Sequence, residues 1–533
     1  MVTERTAGYV DGQTPPRFVP STRFTLALLV FFAFVVQYSQ RVNLPIAIVC
    51  MVNRTVPSNH RVQLVDTKGN LPDRVSNNID DSSKGKQSGN TQMINGLFEK
   101  KQFFWNEEQQ QDLLGGYWAG YIFTQSLISS PLPLGGWLAT VLGAKWVYAT
   151  SLGTSSLATM ALTIMYTMPN THVILIFILR FIIGLAHGVL FPATVALWSL
   201  WAVPQERSTL ASIGFCGTHL GTSITMLTGG LLCRYLNSGW MYLFSMSAFL
   251  GFTWLVLWIW LTADAPNHHK TISAHERDYI CSLTGSTGKK RTMSLASIPW
   301  KNIVTSKPLM ALMVTHIANL FGLFFFLTNF GKILTQLLGL PAQLAGYILA
   351  FGFFLTLLSS LTSGIATDHL VRAKTLSLTS ARKLFNSLTS FLPALCMLSF
   401  YFCDHTQKLL GIITTLVFLA SSGLGYGSGY IVNFADIVPA YSGVIFGIAN
   451  TFASLAGFIG NIIAGKIVKQ PVLAQWRILY IIFGSVYVIG GIVYLLFGSA
   501  IPRKWAKMQA ATTIAKQDEA LSEEETVPMN ETI

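Results

Sequence analysis

The sequence predicts an all-α membrane protein with twelve transmembrane helices in two six-helix halves. Three observations carry that expectation. The chain of 533 residues is 51% hydrophobic and only 11% charged, whereas soluble domains run near 25% charged; its mean hydropathy is +0.49. Apolar runs of membrane-crossing length recur along the chain, joined mostly by short connections. One long polar segment, 264–307, falls between the sixth and seventh runs and divides them evenly. A soluble core cannot hide this much apolar surface, so a lipid-facing exterior is the natural solution.

The elements follow in order. A polar tail, 1–23, precedes the first span, 24–51, which is too long for a signal h-region, so no cleavable signal peptide is expected. The loop 52–108 is rich in Asn, Ser, Asp and Lys, has no apolar period, and reads as loosely ordered; with its approach to the second span the connection runs 52–110. Spans 111–139, 146–167, 171–200, 208–233 and 239–263 complete a first half covering 24–263. The central connection 264–307 leads to spans 308–336, 343–366, 382–403, 407–433, 440–468 and 474–498, a second half covering 308–498. Each span crosses about 30 Å of hydrocarbon at about 1.5 Å per residue. The tail 499–533 ends in an acidic, solvated stretch.

Basic residues set the orientation. Lys145, Arg207, Lys289, Lys290, Arg291, Arg372, Lys374, Arg382 and Lys383 fall in the even-numbered connections, on the side of the two tails. On the other side most basic residues sit in the single long loop, and long loops translocate with little regard to charge. Cytoplasmic termini are therefore expected, and the excess charge of +13 is explained by topology rather than by nucleic acid. Asn53-Arg54-Thr55 is a glycosylation sequon on the lumenal or extracellular side; Asn530-Glu531-Thr532 falls on the cytoplasmic side and should be silent. The six cysteines form no Cys-x-x-Cys pair, and neither a metal site nor a disulfide framework is expected. Nucleotide-binding, His-Glu-x-x-His and Gly-x-Ser-x-Gly patterns are missing, so the reading is a non-enzyme without resident cofactor.

Six plus six is the plan of carriers built from two related halves, and a channel or receptor has no evident reason for it. Two buried cations sharpen the point. Arg41 lies in the first span and Arg180 in the fourth, where a charge costs roughly 2.5–3.5 kcal/mol on insertion scales. Such a group is kept where it faces a watery cavity or a partner, and fixed positive charge suits anions. The competing readings are snorkelling of Arg41 to an interface and a structural lock for Arg180. His187 shares a helical face with Arg180, Ile183 and Gly184. It is a pH-sensing candidate or simply a hydrogen-bonded core residue, and His219 and His316 carry the same ambiguity. Asp436 ends the tenth span as a gate partner or a helix-end cap.

Several stretches resemble one family. Arg41-Val42-Asn43-Leu44 stands in the first span, and Gly120-Tyr121-Ile122-x-Thr124-Gln125 in the second. The fourth carries Arg180, Gly184, Gly188, Phe191-Pro192-Ala193 and Trp198, followed by Pro204-x-Glu206-Arg207-Ser208. Phe215-Cys216-Gly217-x-x-x-Gly221 lies in the fifth, and Asn433-x-x-Asp436-Ile437-x-Pro439-x-Tyr441 with Gly447-Ile448-x-Asn450 comes near the end. Their order and spacing, over about 22–500, resemble the anion–cation symporter branch of the major facilitator superfamily. That branch includes sialin, the vesicular glutamate transporters and the type I sodium–phosphate cotransporters.

The resemblance implies the superfamily's twelve-helix fold and an anion-binding role for Arg41 in a central cavity. It also implies cavity-lining roles for Tyr121 and Asn450. Asn319 stands where the glutamate transporters have a seventh-span arginine. Glu206, Arg207 and Lys145 match short charged turns that act as conformational latches. The chain departs from the pattern as well: Ile183 and His187 replace the two glutamates of the sialin-like fourth span, and Phe434-Ala435-Asp436 replaces His-Leu-Asp.

The expectation is a secondary carrier of small organic or inorganic anions working by alternating access. Its drive would be membrane potential, sodium or protons through His187. Its partners would be the anion and the bilayer, with no nucleic acid, and the functional unit a monomer in a plasma or endolysosomal or vesicular membrane. A non-transporting receptor or scaffold on the same frame, or an anion channel, stands as the alternative.

Overall fold

The computed structural model describes residues 15–51, 103, 105, 107–126, 138, 141–167, 173–284, 298–468, 473–503 and 505–506. Asn53, Lys289, Lys290, Arg291 and the acidic tail lie outside them. In the first half the helices are α1 (Thr22–Met51), α2 (Glu107–Ser126), α3 (Ala144–Thr167), α4 (Val173–Gly188), α5 (Leu190–Trp201), α6 (Arg207–Tyr235) and α7 (Gly239–Leu261). The central connection holds α8 (Ala274–Thr284) and α9 (Trp300–Thr305). The second half comprises α10 (Lys307–Lys332), α11 (Ala342–Arg372), α12 (Leu378–Phe402), α13 (Lys408–Gly427), α14 (Tyr430–Ile437), α15 (Ser442–Ile467) and α16 (Leu473–Phe497). Each of the twelve expected spans contains helix, the fourth being α4 with α5 and the tenth α13 with α14.

Nine of these stretches, among the described residues, are long and apolar enough to cross a membrane by composition. The spans holding α3 and α6 fall short because they are rich in Gly, Ser and Thr, and the one holding α2 because Glu107-Glu108-Gln109-Gln110-Gln111-Asp112 opens it. Small residues serve helix contact rather than lipid contact. Gly120 and Gly184 show why: a Cβ on Gly120 would collide with the Phe181 carbonyl, and one on Gly184 with the Tyr117 carbonyl. The α2 and α4 backbones therefore touch, which fixes where Tyr117 and Tyr121 stand. Lipid is left to side chains such as Trp260, Ile174 and Phe249, all strongly exposed.

Within the halves α1 packs on α6 and α7, and α10 on α15 and α16. Between them α6 lies along α11, while α2 and α5 meet α15. The described residues at both ends of the chain sit at one end of the bundle: Asn433 Nδ2 reaches Ser499 O (3.1 Å) and Arg503 N reaches Ile437 O (3.0 Å). There Ser21 Oγ caps α1 by accepting from Phe24 N (3.2 Å), and the Glu276 carboxylate of α8 accepts from Thr22 N (3.0 Å) and Arg23 N (3.2 Å). These are the free amides of a helix start, where a carboxylate is favoured.

Three expectations change. The long loop is not loose at its far end: Phe103 stacks on Trp105 (4.6 Å between centroids) and meets Trp240 edge-on (5.8 Å), and α2 begins at Glu107. Phe103 and Trp105 hold that end down, a signal that the surrounding polar composition hid. The central connection is partly helical and docked, because Tyr279 and Ile280 of α8 and Ile303 of α9 are buried. Finally Cys233, at the end of α6, is disulfide-bonded, against the expectation of no disulfide; the absence of a Cys-x-x-Cys spacing says nothing about bridges between distant helices.

Candidate functional site

Arg41 sits two-thirds along α1 and retains 9% of its surface. Its guanidinium carbon lies 4.5 Å from the Trp118 ring centre, 4.9 Å from Tyr38, 5.6 Å from Tyr117, 5.7 Å from Tyr121 and 5.9 Å from Phe324. Nη1 donates to the Tyr38 hydroxyl (3.2 Å). Among the described residues Arg41 forms no ion pair. Aromatic faces attract a cation without neutralising it, so the charge is held in place and left available. Trp118 of the first half meets Phe324 of the second at 5.2 Å, so this aromatic box straddles the meeting of the halves. Snorkelling is not what α1 does here.

Arg180 is used differently. It retains 1% of its surface, with Nη1 donating to Gln40 O (3.2 Å) and Asn43 Oδ1 (3.3 Å) and Nη2 to Arg41 O (3.2 Å). Sequence explains why α1 has carbonyls to offer. Pro45, inside the helix, carries no N–H to close the bond to Arg41 O, and Leu44 N donates to Asn43 Oδ1 instead (2.7 Å). Arg180 thus satisfies the backbone at the residue that carries the available guanidinium. These contacts are the ones a structural lock makes, the second of the two readings open for Arg180.

A similar repair follows Pro192 at the junction of α4 and α5. The carbonyls of Leu185, Ala186, His187 and Gly188 accept from Thr124 Oγ1 (2.9 Å), Ser151 Oγ (2.5 Å), Gln37 Nε2 (3.4 Å) and Gln125 Nε2 (3.2 Å). The tenth span, the counterpart of the fourth, is also broken, between α13 and α14, where Arg382 Nη1 takes Ser428 O (2.9 Å). Interrupted helices at corresponding positions of two halves point to the site between them.

The other candidates fall into groups. His187 is buried with Nδ1 3.3 Å from the Tyr117 hydroxyl, and that ring also faces Arg180 (5.4 Å) and Arg41. Tyr121 and Asn450 meet across the halves: Asn450 Nδ2 donates to the Tyr121 hydroxyl (3.4 Å), and its Oδ1 lies 3.3 Å from His316 Nε2. His219 packs edge-on against Tyr426 (4.9 Å). Asn319 is placed apart from Arg41's box, its Nδ2 donating to Thr315 O (2.9 Å) and Ser390 Oγ (3.2 Å).

The charged turns divide by direction. Arg207 Nη1 donates to Asp436 Oδ1 (2.9 Å) across the halves, while Arg382 Nε takes Oδ2 of the same carboxylate (2.9 Å). Nearby, Thr209 N donates to Asp368 Oδ2 of α11 (2.7 Å), a second link between the halves. Glu206 instead stays within its half, accepting from Arg23 Nε (2.7 Å), and Arg23 Nη1 also holds Glu276 (3.0 Å). Lys145 is likewise local: its N–H meets Asp264 Oδ1 (2.8 Å) and its Nζ Thr262 O (2.7 Å).

Sequence reading missed Tyr38, Tyr117 and Trp118, although Tyr38 lies one turn before Arg41, and Tyr117 one turn before Tyr121. For Phe324 and Arg23 no signal in the chain singles them out.

Two broken-helix bundles joined by an ion pair at one end, with an arginine at their junction that forms no ion pair among the described residues, define a polytopic secondary transporter. The chain matches the Major Facilitator Superfamily over residues 26–461 and belongs to that family of transporters, not to a family of enzymes. It is 33% identical to human sialin over 492 residues, 91% of each chain. It is 30% identical over 497 residues to mouse sodium-dependent phosphate transport protein 3, covering 93% of this chain and 97% of that one. Among solved structures the proton:xylose symporter XylE superposes with a TM-score of 0.61 at 14% identity, over 89% of this chain and 96% of that one.

Proposed function

We propose that this chain carries small anions across a membrane by alternating access, binding them at Arg41. The observation that carries the reading is a guanidinium at the junction of the halves, ringed by aromatics and without an acidic partner among the described residues. A carboxylate or phosphate supplies the missing charge through paired N–H donors. A relative named for phosphate transport supports the same class of cargo. Arg180 is the strut that sets Arg41, and Arg207–Asp436 is the latch that closes the end bearing the chain termini.

That end is assigned to the cytoplasm. The basic connections favour it, and so does the disulfide-bonded Cys233 near the opposite end of α6, since disulfides persist in lumenal or extracellular surroundings. The functional unit is a monomer, because both halves of the box come from one chain. Drive comes from membrane potential, a sodium gradient or protons through His187. Uptake of radiolabelled anions into proteoliposomes, with the three gradients imposed separately, tests the reading. Saturable uptake that Arg41→Gln abolishes supports it; absence of flux for every anion, with folded protein, overturns it.

A further inference from the structure

Resting on the alternating-access reading with its Arg207–Asp436 latch, whichever anion is carried, we infer that Gln125 is a positioning residue that ties the break of the fourth span to the opposite half. Closing the terminal end and setting Arg41 then become one event. Gln125 is buried near the end of α2. It lies on the terminal side of the Arg41 box, because α2 starts beside the far end of α1, where Phe103 N meets Met51 O, and runs back. Its side-chain amide and its carbonyl are all engaged. Nε2 donates to Gly188 O (3.2 Å), Oε1 accepts from Ser454 Oγ (3.2 Å), and the carbonyl accepts from Thr451 Oγ1 (2.6 Å). Gly188 ends α4, whereas Thr451 and Ser454 belong to α15 of the second half.

Sequence shows why the amide is needed. In an unbroken helix Gly188 O would accept from the residue four positions on, which is Pro192 and has no N–H. Gly188 also lets α2 come close: a Cβ there would lie 2.9 Å from Tyr121 O and 3.0 Å from Thr124 Cβ. With its nitrogen committed to α4, the amide presents its oxygen, an acceptor only, to α15, where the Ser454 hydroxyl supplies the donor. Its neighbours each do half of this. Thr124 Oγ1 holds Leu185 O of α4 (2.9 Å) and Tyr121 meets Asn450 of α15 (3.4 Å), whereas Gln125 holds both sides. From Gly188 the path runs about two turns back along α4 to Arg180, whose Nη2 holds Arg41 O. A shift of α15 away from Gln125 therefore frees the end of the helix that sets Arg41, and the coupling acts equally in reverse.

N-ethylmaleimide labelling of Cys216, which faces Leu357 O across the junction, reads opening of the terminal end in the full-length protein with no anion present. A Cys281→Ser background is used throughout, and Asp436→Asn is the control that this end opens. Gln125→Leu and Ser454→Ala should each accelerate labelling about two- to tenfold, the effect of one neutral hydrogen bond across the halves. Arg180→Gln tests the path. It should accelerate labelling about threefold or more when Gln125 is intact, and less than about twofold once Gln125→Leu has cut the path. If thermal unfolding shows Gln125→Leu to be misfolded, Ser454→Ala, which leaves Gly188 O satisfied, serves as that background. An equal effect of Arg180→Gln in both backgrounds, no effect in either, or unchanged labelling in Gln125→Leu overturns the inference while Asp436→Asn still opens the end. Unchanged labelling in Asp436→Asn as well removes the latch reading together with it.

Discussion

Replacing Asp436 by Asn keeps the side-chain shape and removes its charge. The carboxylate accepts from Arg207 and from Arg382, each at 2.9 Å, and all three side chains are buried. A hydrogen bond to a charged group contributes about 1.5–3 kcal/mol, and a buried charge stripped of its partner costs about 3–5 kcal/mol. The two bonds do not bias the transport cycle equally. Arg382 and Asp436 both belong to the second half, so their bond survives when the halves part. Of these two bonds, Arg207–Asp436 is the one that crosses the junction and favours the closed end. The bias lost is therefore about 1.5–3 kcal/mol, which is roughly a ten- to hundredfold shift toward opening. Cys216 reports on it: buried, its Sγ faces Leu357 O across the same junction at 3.3 Å. In a Cys281→Ser background, with Cys216→Ser as blank, maleimide labelling of Cys216 should accelerate about ten- to hundredfold in Asp436→Asn, as the open population grows. Arg382→Gln should lower thermal stability with a smaller effect on labelling. Unchanged labelling in folded Asp436→Asn protein, or an equal effect from Arg382→Gln, would refute the latch.

The remaining predictions concern the strut and the terminal clamp. Arg180→Gln removes bonds to Gln40 O and Arg41 O; uptake should show a raised KM, and thermal unfolding a loss of about 1–3 kcal/mol, with Arg180→Lys recovering part of both. Pro45→Ala returns a backbone donor to Arg41 O; it should raise thermal stability while raising KM, because α1 straightens at the residue that binds. Arg23→Met leaves Glu206 and Glu276 buried side by side without their shared cation; unfolding measurements should show about 3–5 kcal/mol of destabilisation with KM for the anion unchanged.

Much of this was legible in the chain. Apolar runs are set by solvent, so helix was expected in each described span, and α2 and α6 were expected although Glu, Gln and Asp dilute the first and Gly, Ser and Thr the second. Arg41 and Arg180 stood out as charges at depth. Their separate duties did not, because these depend on what the neighbouring helix offers: Pro45 leaves carbonyls for Arg180, whereas rings from α1, α2 and α10 surround Arg41. Likewise Glu206 and Arg207 are adjacent in sequence yet reach different halves, since Glu206 precedes α6 with a non-helical backbone (φ −125°) and Arg207 opens the helix. Asn319 was placed by analogy of position and turned out to be engaged inside its own half with Ser390. Phe103 and Trp105 were overlooked inside a polar loop, where composition averages away a short aromatic anchor.

The central claim is that Arg41 binds the anion and Arg180 only positions it. Equilibrium binding to purified protein of a radiolabelled anion that the proteoliposome assay shows to be carried tests this most directly, comparing wild type with Arg41→Gln, Arg41→Lys, Arg180→Gln and Arg180→Lys. Saturable binding should vanish in Arg41→Gln, return weakly in Arg41→Lys, which keeps charge without the fork, and persist at reduced affinity in both Arg180 variants. Binding retained in folded Arg41→Gln, or lost as completely in Arg180→Lys, would contradict it.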